Sequence, residues 1–278
     1  SERLAAAVYK GSPLARPILG TQSTLAPMTG AWLDQWRREH SRPGVLVAAL
    51  AGSFTDSQVD KLKDCLSALE PGVAPVQKPA AYRPAVTARK KAIEQNHLIL
   101  AFPSPTYLDP RRRQLQLLNA LLGGGCSSRL FQEVREKRGL CYTVYSYVAD
   151  HQDTGLLGIY TAVGKEQERQ ALDTVRDVVE RLLQEGPSQE ELDRARDQAK
   201  ANLLMGAESI QARMSHLGAS ALLYGRVQET EEIISLYDSA TRAQLRDLAR
   251  EIFHWDLASL SALGRVEAGD QYRRWLEG

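Results

Sequence analysis

At 278 residues the chain exceeds the roughly 100–150 of a usual single domain, and 43% apolar with 25% charged residues is the balance of a soluble protein with a buried core. A net charge of +1 excludes bulk attraction to nucleic acid or to an anionic membrane, and no apolar run approaches the roughly 20 residues of a membrane span. Cys65, Cys126 and Cys141 are too few and too scattered for a disulfide framework or a zinc ribbon, and are expected to be buried thiols.

The opening Ser1-Glu2-Arg3-Leu4 is neither a signal peptide nor an initiation site, and is expected to be the interior of a longer protein, which leaves the compartment open. Trp32, Leu33 and Trp36 recur at helical spacing in Thr29 to His40, which Arg42-Pro43-Gly44 ends. The apolar run from Val45 to Leu50 has strand length, and Val59, Leu62, Leu66 and Leu69 form one stripe of a second helix. Pro71 to Pro84, rich in proline, alanine and glycine, has no periodicity and predicts a linker.

Beyond it, His97 to Phe102 reads as a buried strand. Arg112 to Leu122 is a helix ending at Gly123-Gly124-Gly125, and Ser128 to Arg138 is a second one stopped by Gly139, which tolerates a left-handed cap. Cys141 to Val148 and Leu156 to Val163 are neighbouring strands by their alternation and β-branched content. Four helices follow. The first runs from Gln167 to Leu183, Ser188-x-x-Glu191 is a capping box opening the second, the third spans about Glu208 to Leu223, and the last starts near Thr241. Leu257 to Leu263 closes the chain as a strand. The basic clusters Arg89-Lys90-Lys91 and Arg111-Arg112-Arg113 lack interleaved aromatics and are read as solvated charges rather than a nucleic-acid surface.

The chain repeats itself without a gap. Thr29-Gly30-Ala31-Trp32-Leu33 lies over Thr241-Arg242-Ala243-Gln244-Leu245, Arg38-Glu39 over Arg250-Glu251, and Gly52 over Gly264, at a constant offset of 212. A period of this size predicts tandem domains rather than a solenoid. Residues 1–72 would be the C-terminal remainder of a first domain, 73–89 a linker and 90–278 a complete second domain. The counterpart of a second copy that begins near Lys90 would start about 120 residues before Ser1.

The run Gly123-Gly124-Gly125-Cys126-Ser127-Ser128-Arg129-Leu130-Phe131-Gln132-Glu133-Val134-Arg135-Glu136-Lys137-Arg138-Gly139-Leu140-Cys141-Tyr142 resembles the second-domain signature of the pitrilysin-like (inverzincin) zinc metallopeptidases. That group includes mitochondrial processing peptidases, core subunits of the cytochrome bc1 complex and insulin-degrading enzymes. Ser12 to Thr21 resembles the segment after their catalytic region, and Glu94-Gln95-Asn96-His97 their second domain's first strand. The resemblance implies an α+β fold of tandem homologous domains, each a mostly antiparallel sheet with helices mainly on one face. It also implies zinc held by an H-x-x-E-H helix, a motif missing from this sequence. His40, His97, His151, His216 and His254 are isolated, so no metal ligand is assigned here and zinc is expected only in the full-length protein.

By the same resemblance, Arg135 and Tyr142 are catalytic candidates that hold the substrate carbonyl and stabilise its developing negative charge, for this protein's zinc site or a partner's. Read without it, they are a helix-end arginine and a half-buried strand tyrosine. Gly123, Gly124 and Gly125 are substrate-binding candidates by resemblance; a plain turn is the other reading, since the loop lacks the endings of phosphate-binding loops. The expected function is a fragment of an endopeptidase acting on peptides in an enclosed chamber, inactive alone and part of a homo- or heterodimer. The alternative is a non-catalytic partner subunit or scaffold.

Overall fold

The apolar run at 97–102 and the alternating segments that follow it become adjacent strands of one sheet, because each has a face to bury and a ladder partner to satisfy its backbone. The computed structural model describes residues 1–44, 46–70 and 78–278. In chain order these form α1 (Glu2–Val8), α2 (Gln22–Leu25), α3 (Gly30–His40), α4 (Asp56–Ser67), β1 (Val86–Lys90), β2 (Asn96–Pro103) and α5 (Arg112–Gly123). A π-helix (Phe131–Glu136) follows, then β3 (Cys141–Asp150), β4 (Gly155–Val163), α6 (Glu168–Glu185), α7 (Gln189–Glu208) and α8 (Ile210–Tyr224). The chain continues through α9 (Thr230–Ser239), α10 (Arg242–Ile252), β5 (Ser259–Gly264) and α11 (Gly269–Glu277).

Two units result. One comprises residues 1–16, 79–200 and 234–278, the other 17–78 and 201–233. This division differs from a boundary at residue 72, because α1 buries Leu4 and Val8, followed by Tyr9, on Ile99, Ala101 and Leu156 of the sheet. Residues 73–77 of the linker read at 73–89 lie outside the described residues, and its last four residues, 86–89, are instead part of strand β1.

The first unit carries a five-stranded sheet in the order β1-β5-β2-β4-β3, antiparallel except for β1 beside β5. It is therefore α+β and mostly antiparallel, as the resemblance implied. Leu98, Leu100 and Phe102 are buried in the core, where Phe102 meets Phe253, the residue after α10, edge-on at 5.0 Å. The Ser188 capping box forms with both reciprocal bonds: Ser188 N–H donates to Glu191 Oε2 (2.7 Å) and Glu191 N–H to Ser188 Oγ (3.1 Å).

Several expectations change. Five helices, not four, occupy 168–252, because α9 adds a helix that buries Ile233 and Tyr237. The chain does not end on β5: α11 follows and buries Tyr272, Trp275 and Leu276 on one face. Cys65 and Cys126 are exposed and only Cys141 is buried, since Cys65 lies on an open face of α4 and Cys126 in a turn. Arg112 is not a solvated charge but a shielded partner of Asp150 (2.6 Å), lying over the Tyr107 ring at 3.8 Å.

The second unit holds α2, α3, α4, the end of α7 and α8. Among its described residues there is no strand: 46–50, read as one, have no ladder partner, and Leu46, Val47 and Leu50 are exposed.

Candidate functional site

Arg135 and Tyr142 lie on either side of one tight connection. Gly139 caps the π-helix at φ +61°, donating its N–H to Arg135 O (2.9 Å), and Leu140 N–H reaches Val134 O (3.0 Å). A β-carbon would strain that conformation, so glycine here sets the distance between helix end and strand start. The helix read from sequence as ordinary takes π geometry over Phe131–Glu136, with Lys137 N–H bonded five residues back to Gln132 O at 2.9 Å.

The strand begins with a bulge. Cys141 pairs with Val163 and Thr143 with the adjacent Ala162, so Tyr142 is an extra residue with no partner opposite. The bulge switches side-chain parity, which lets Cys141, Val144 and Ser146 all face the core while Tyr142 is turned outward. Tyr142 is 80% exposed, not half-buried. Arg135 has its side chain 41% exposed, with its guanidinium over the Phe131 ring at 4.6 Å and, among the described residues, only a long contact to Glu136 (3.8 Å). Both are hydrogen-bond donors with unused capacity on one edge of the sheet unit.

The glycines divide. Gly123 is buried against β3, and a β-carbon there would come within 2.3 Å of Ser146 N; at Gly124 one would meet Ala120 Cα at 2.6 Å. Packing therefore demands glycine at both. At Gly125 the nearest atom is Gln198 Nε2 at an ordinary 3.5 Å, so nothing steric requires glycine there.

Two groups next to the site carry no signal in the motif. On the sheet face away from α5 and α6, Tyr145 stacks tilted on Tyr160 (5.0 Å), whose hydroxyl bonds His97 Nδ1 (2.8 Å). The alternation of Tyr145 and Tyr147 marks that face in the sequence. Two residues before Arg135, Glu133 is buried and meets Lys137 (2.8 Å), Arg138 (2.6 Å) and Arg181 (3.3 Å). Those cations, Lys137 foremost, hold its carboxyl down to about 2. Nearby, burial pushes the Cys141 thiol up, which suits an inert core residue.

The histidines are dispersed and separately used. His40 stacks on Trp36 (4.2 Å), His97 holds Tyr160, and His216 Nε2 bonds Gln228 O at 2.8 Å. Among the described residues no group of three or more His, Cys, Asp or Glu could hold a metal ion, so the donors present do not fit a zinc site. Among the described residues no helix is long and apolar enough to cross a membrane.

The family described as "Peptidase M16 inactive domain" matches residues 28–199, a span that contains Arg135 and Tyr142. The chain is 36% identical over 267 residues to the uncharacterized zinc protease YmxG of Bacillus subtilis, covering 95% of this chain and 65% of that protein. It is 33% identical to an uncharacterized zinc protease of Streptomyces coelicolor, covering 94% and 59%. Among solved structures, a peptidase M16 inactive domain from Pseudomonas fluorescens aligns with a TM-score of 0.85 at 28% identity, over 96% of this chain and 65% of that one. A chain of complex III2 from Candida albicans shares the fold at a TM-score of 0.81 and 19% identity, over 99% and 69%. The chain thus spans 59–65% of the length of these two curated relatives.

Proposed function

The chain belongs to the M16 peptidase family, and on that premise we propose that it is the metal-free part of a zinc-dependent endopeptidase acting on peptides or unfolded segments in an enclosed chamber. Zinc would be held by residues outside this sequence. Residues 1–72 are read as the remainder of a first domain, of which residues 1–16 pack with the sheet unit.

Arg135 and Tyr142 are the chemically active groups of this part. The guanidinium and the phenolic hydroxyl donate to the carbonyl oxygen of a bound peptide and to the negative charge that grows there on attack. Donors fixed by a capped helix and a bulged strand need no reorganisation when that charge appears, and each contributes on the order of 3 kcal/mol in a water-poor site. The observation that carries this reading is Tyr142, a tyrosine left four-fifths exposed by a bulge directly after the turn that presents Arg135. The Gly124-Gly125 loop and the Tyr145–Tyr160 face would contact the extended substrate.

The test compares the full-length protein with this chain for zinc content and for cleavage of a quenched, unstructured peptide. Both properties are expected in the full-length protein alone. Arg135→Ala and Tyr142→Phe should each lower its kcat by about 100-fold with thermal unfolding unchanged. Full turnover in both variants would remove the role. A full-length protein without zinc or activity would instead favour a partner subunit that offers these donors to another chain's site.

A further inference from the structure

Among the described residues, Arg135 is held by little of its own: a ring beneath it and one distant carboxylate. Its direction is therefore set by the backbone that carries it. That backbone is a π-helix, a geometry less favourable than the α-helix and common where function requires it. Something must select it.

We propose that Glu133 is a positioning residue, whose buried carboxylate locks the π register of Phe131–Glu136 and so fixes where the Arg135 guanidinium points. This rests on the role given to Arg135 above.

The spacing makes the case. Glu133 bonds Arg138 Nη1 through its side chain (2.6 Å), and the same nitrogen donates to Glu133 O (3.0 Å). These residues are five apart, the interval that a π turn stacks. In an α-helix the fourth residue lies over the first and the fifth is roughly 100° further round the axis. Lys137, four apart, is reached as well, and a Lys137–Gln132 backbone bond of π length runs alongside.

The third cation, Arg181, comes from α6, so the carboxylate also ties the π-helix to the helix packed against it. With its side chain only 12% exposed, Glu133 has exchanged water for these three donors, and charge-assisted bonds in such a place are directional as well as strong. Its carboxyl stays ionised throughout the neutral range, so the lock does not open with assay pH. Relaxation to an α register would remove the Glu133–Arg138 alignment and turn Arg135 away from the edge that presents Tyr142.

The experiment uses the full-length protein with Glu133→Gln, Arg135→Ala and the double variant. For Glu133→Gln, kcat on the quenched peptide should fall about 10-fold with KM nearly unchanged. The double variant should be no slower than Arg135→Ala alone, because Glu133 acts through Arg135. In Glu133→Gln, amide exchange at Lys137, whose N–H makes the π bond, should speed up at least 10-fold relative to amides of α5, and Glu133→Asp should restore part of kcat.

If Arg135→Ala is slow but Glu133→Gln is folded and fully active, or if the two losses multiply, the inference is overturned and the reading of Arg135 stands. If Arg135→Ala keeps full turnover, that reading falls and the positioning role falls with it. Unchanged Lys137 exchange in Glu133→Gln overturns the register lock in either case.

Discussion

Replacing Gly123 by alanine separates the two readings of the triglycine loop. The added methyl would lie 2.3 Å from Ser146 N, 2.7 Å from Ser146 Oγ and 2.9 Å from Ser146 Cβ, against a comfortable separation of about 3.5 Å. Neither side can yield easily. The end of α5 is anchored by Leu117, Leu118 and Leu122, all fully buried, and β3 is bonded along its length to β4. Overpacking of this kind costs about 1–3 kcal/mol. Displacing β3 would also break the bond from Ser146 Oγ to Asn119 O (3.1 Å), worth about 1 kcal/mol. The better helix propensity of alanine at the last position of α5 returns up to about 1 kcal/mol. The net expectation is a loss of about 2 kcal/mol, read as a lower urea midpoint by circular dichroism with an unchanged slope. Gly125→Ala, with only a 3.5 Å neighbour, should stay within about 0.5 kcal/mol of the wild type. A Gly123→Ala protein as stable as the wild type would refute the packing argument and return Gly123 to the substrate surface.

Two further perturbations test the scaffold around the site. Arg129 grips Glu191 with two bonds (2.6 and 2.7 Å) and also reaches Gly186 O, both charges being largely shielded; Arg129→Ala should therefore cost about 3 kcal/mol by stranding the carboxylate, and an unchanged Tm would contradict this. For Glu133 the folded carboxyl lies near 2, below its ordinary value of 4.5, so its stabilisation is complete above that ordinary value and lost as pH falls toward 2. Urea midpoints of wild type and Glu133→Gln should accordingly differ most at neutral pH and converge toward pH 2, and a gap that does not vary with pH would refute the assignment.

The sheet unit was legible where a segment's own pattern matched its final environment. His97–Phe102, the two alternating strands and the Gln167–Leu183 stripe needed only a partner to confirm what periodicity indicated. β1 was hidden because Val86-Thr87-Ala88-Arg89-Lys90 has no apolar face to announce it; its parallel pairing with β5 makes it a strand. At the candidate site, the motif singled out Arg135 and Tyr142 by resemblance, but the π-helix and the bulge each arise from one residue of register. A single-residue shift leaves no trace in composition or spacing. Nor does sequence distinguish Glu133 from any helix-surface glutamate, since Arg181, which closes the network, lies 48 positions away.

The repeat shows what a sequence pattern does and does not determine. α3 and α10 have the same bounds at the offset of 212, and in each a threonine, Thr29 or Thr241, caps the helix by accepting the N–H three residues on. Both copies also reach a glycine of positive φ, Gly52 at +106° and Gly264 at +141°. Cap, helix length and turn are local, and each copy forms them alone. Burial and strand identity are not local. Leu245 and Leu248 are 0% and 2% exposed on α10, which packs on α5 and α6, whereas their counterparts Leu33 and Trp36 are 51% and 49% exposed. β5 lies between β1 and β2, while residues 47–51 have no strand beside them among the described residues and are not assigned as one. An amphipathic helix leading into an apolar segment gains its stability from the surface it covers. The second unit keeps the same cap, helix and glycine turn with no strand beside them among its described residues, so the local pattern alone does not make a strand.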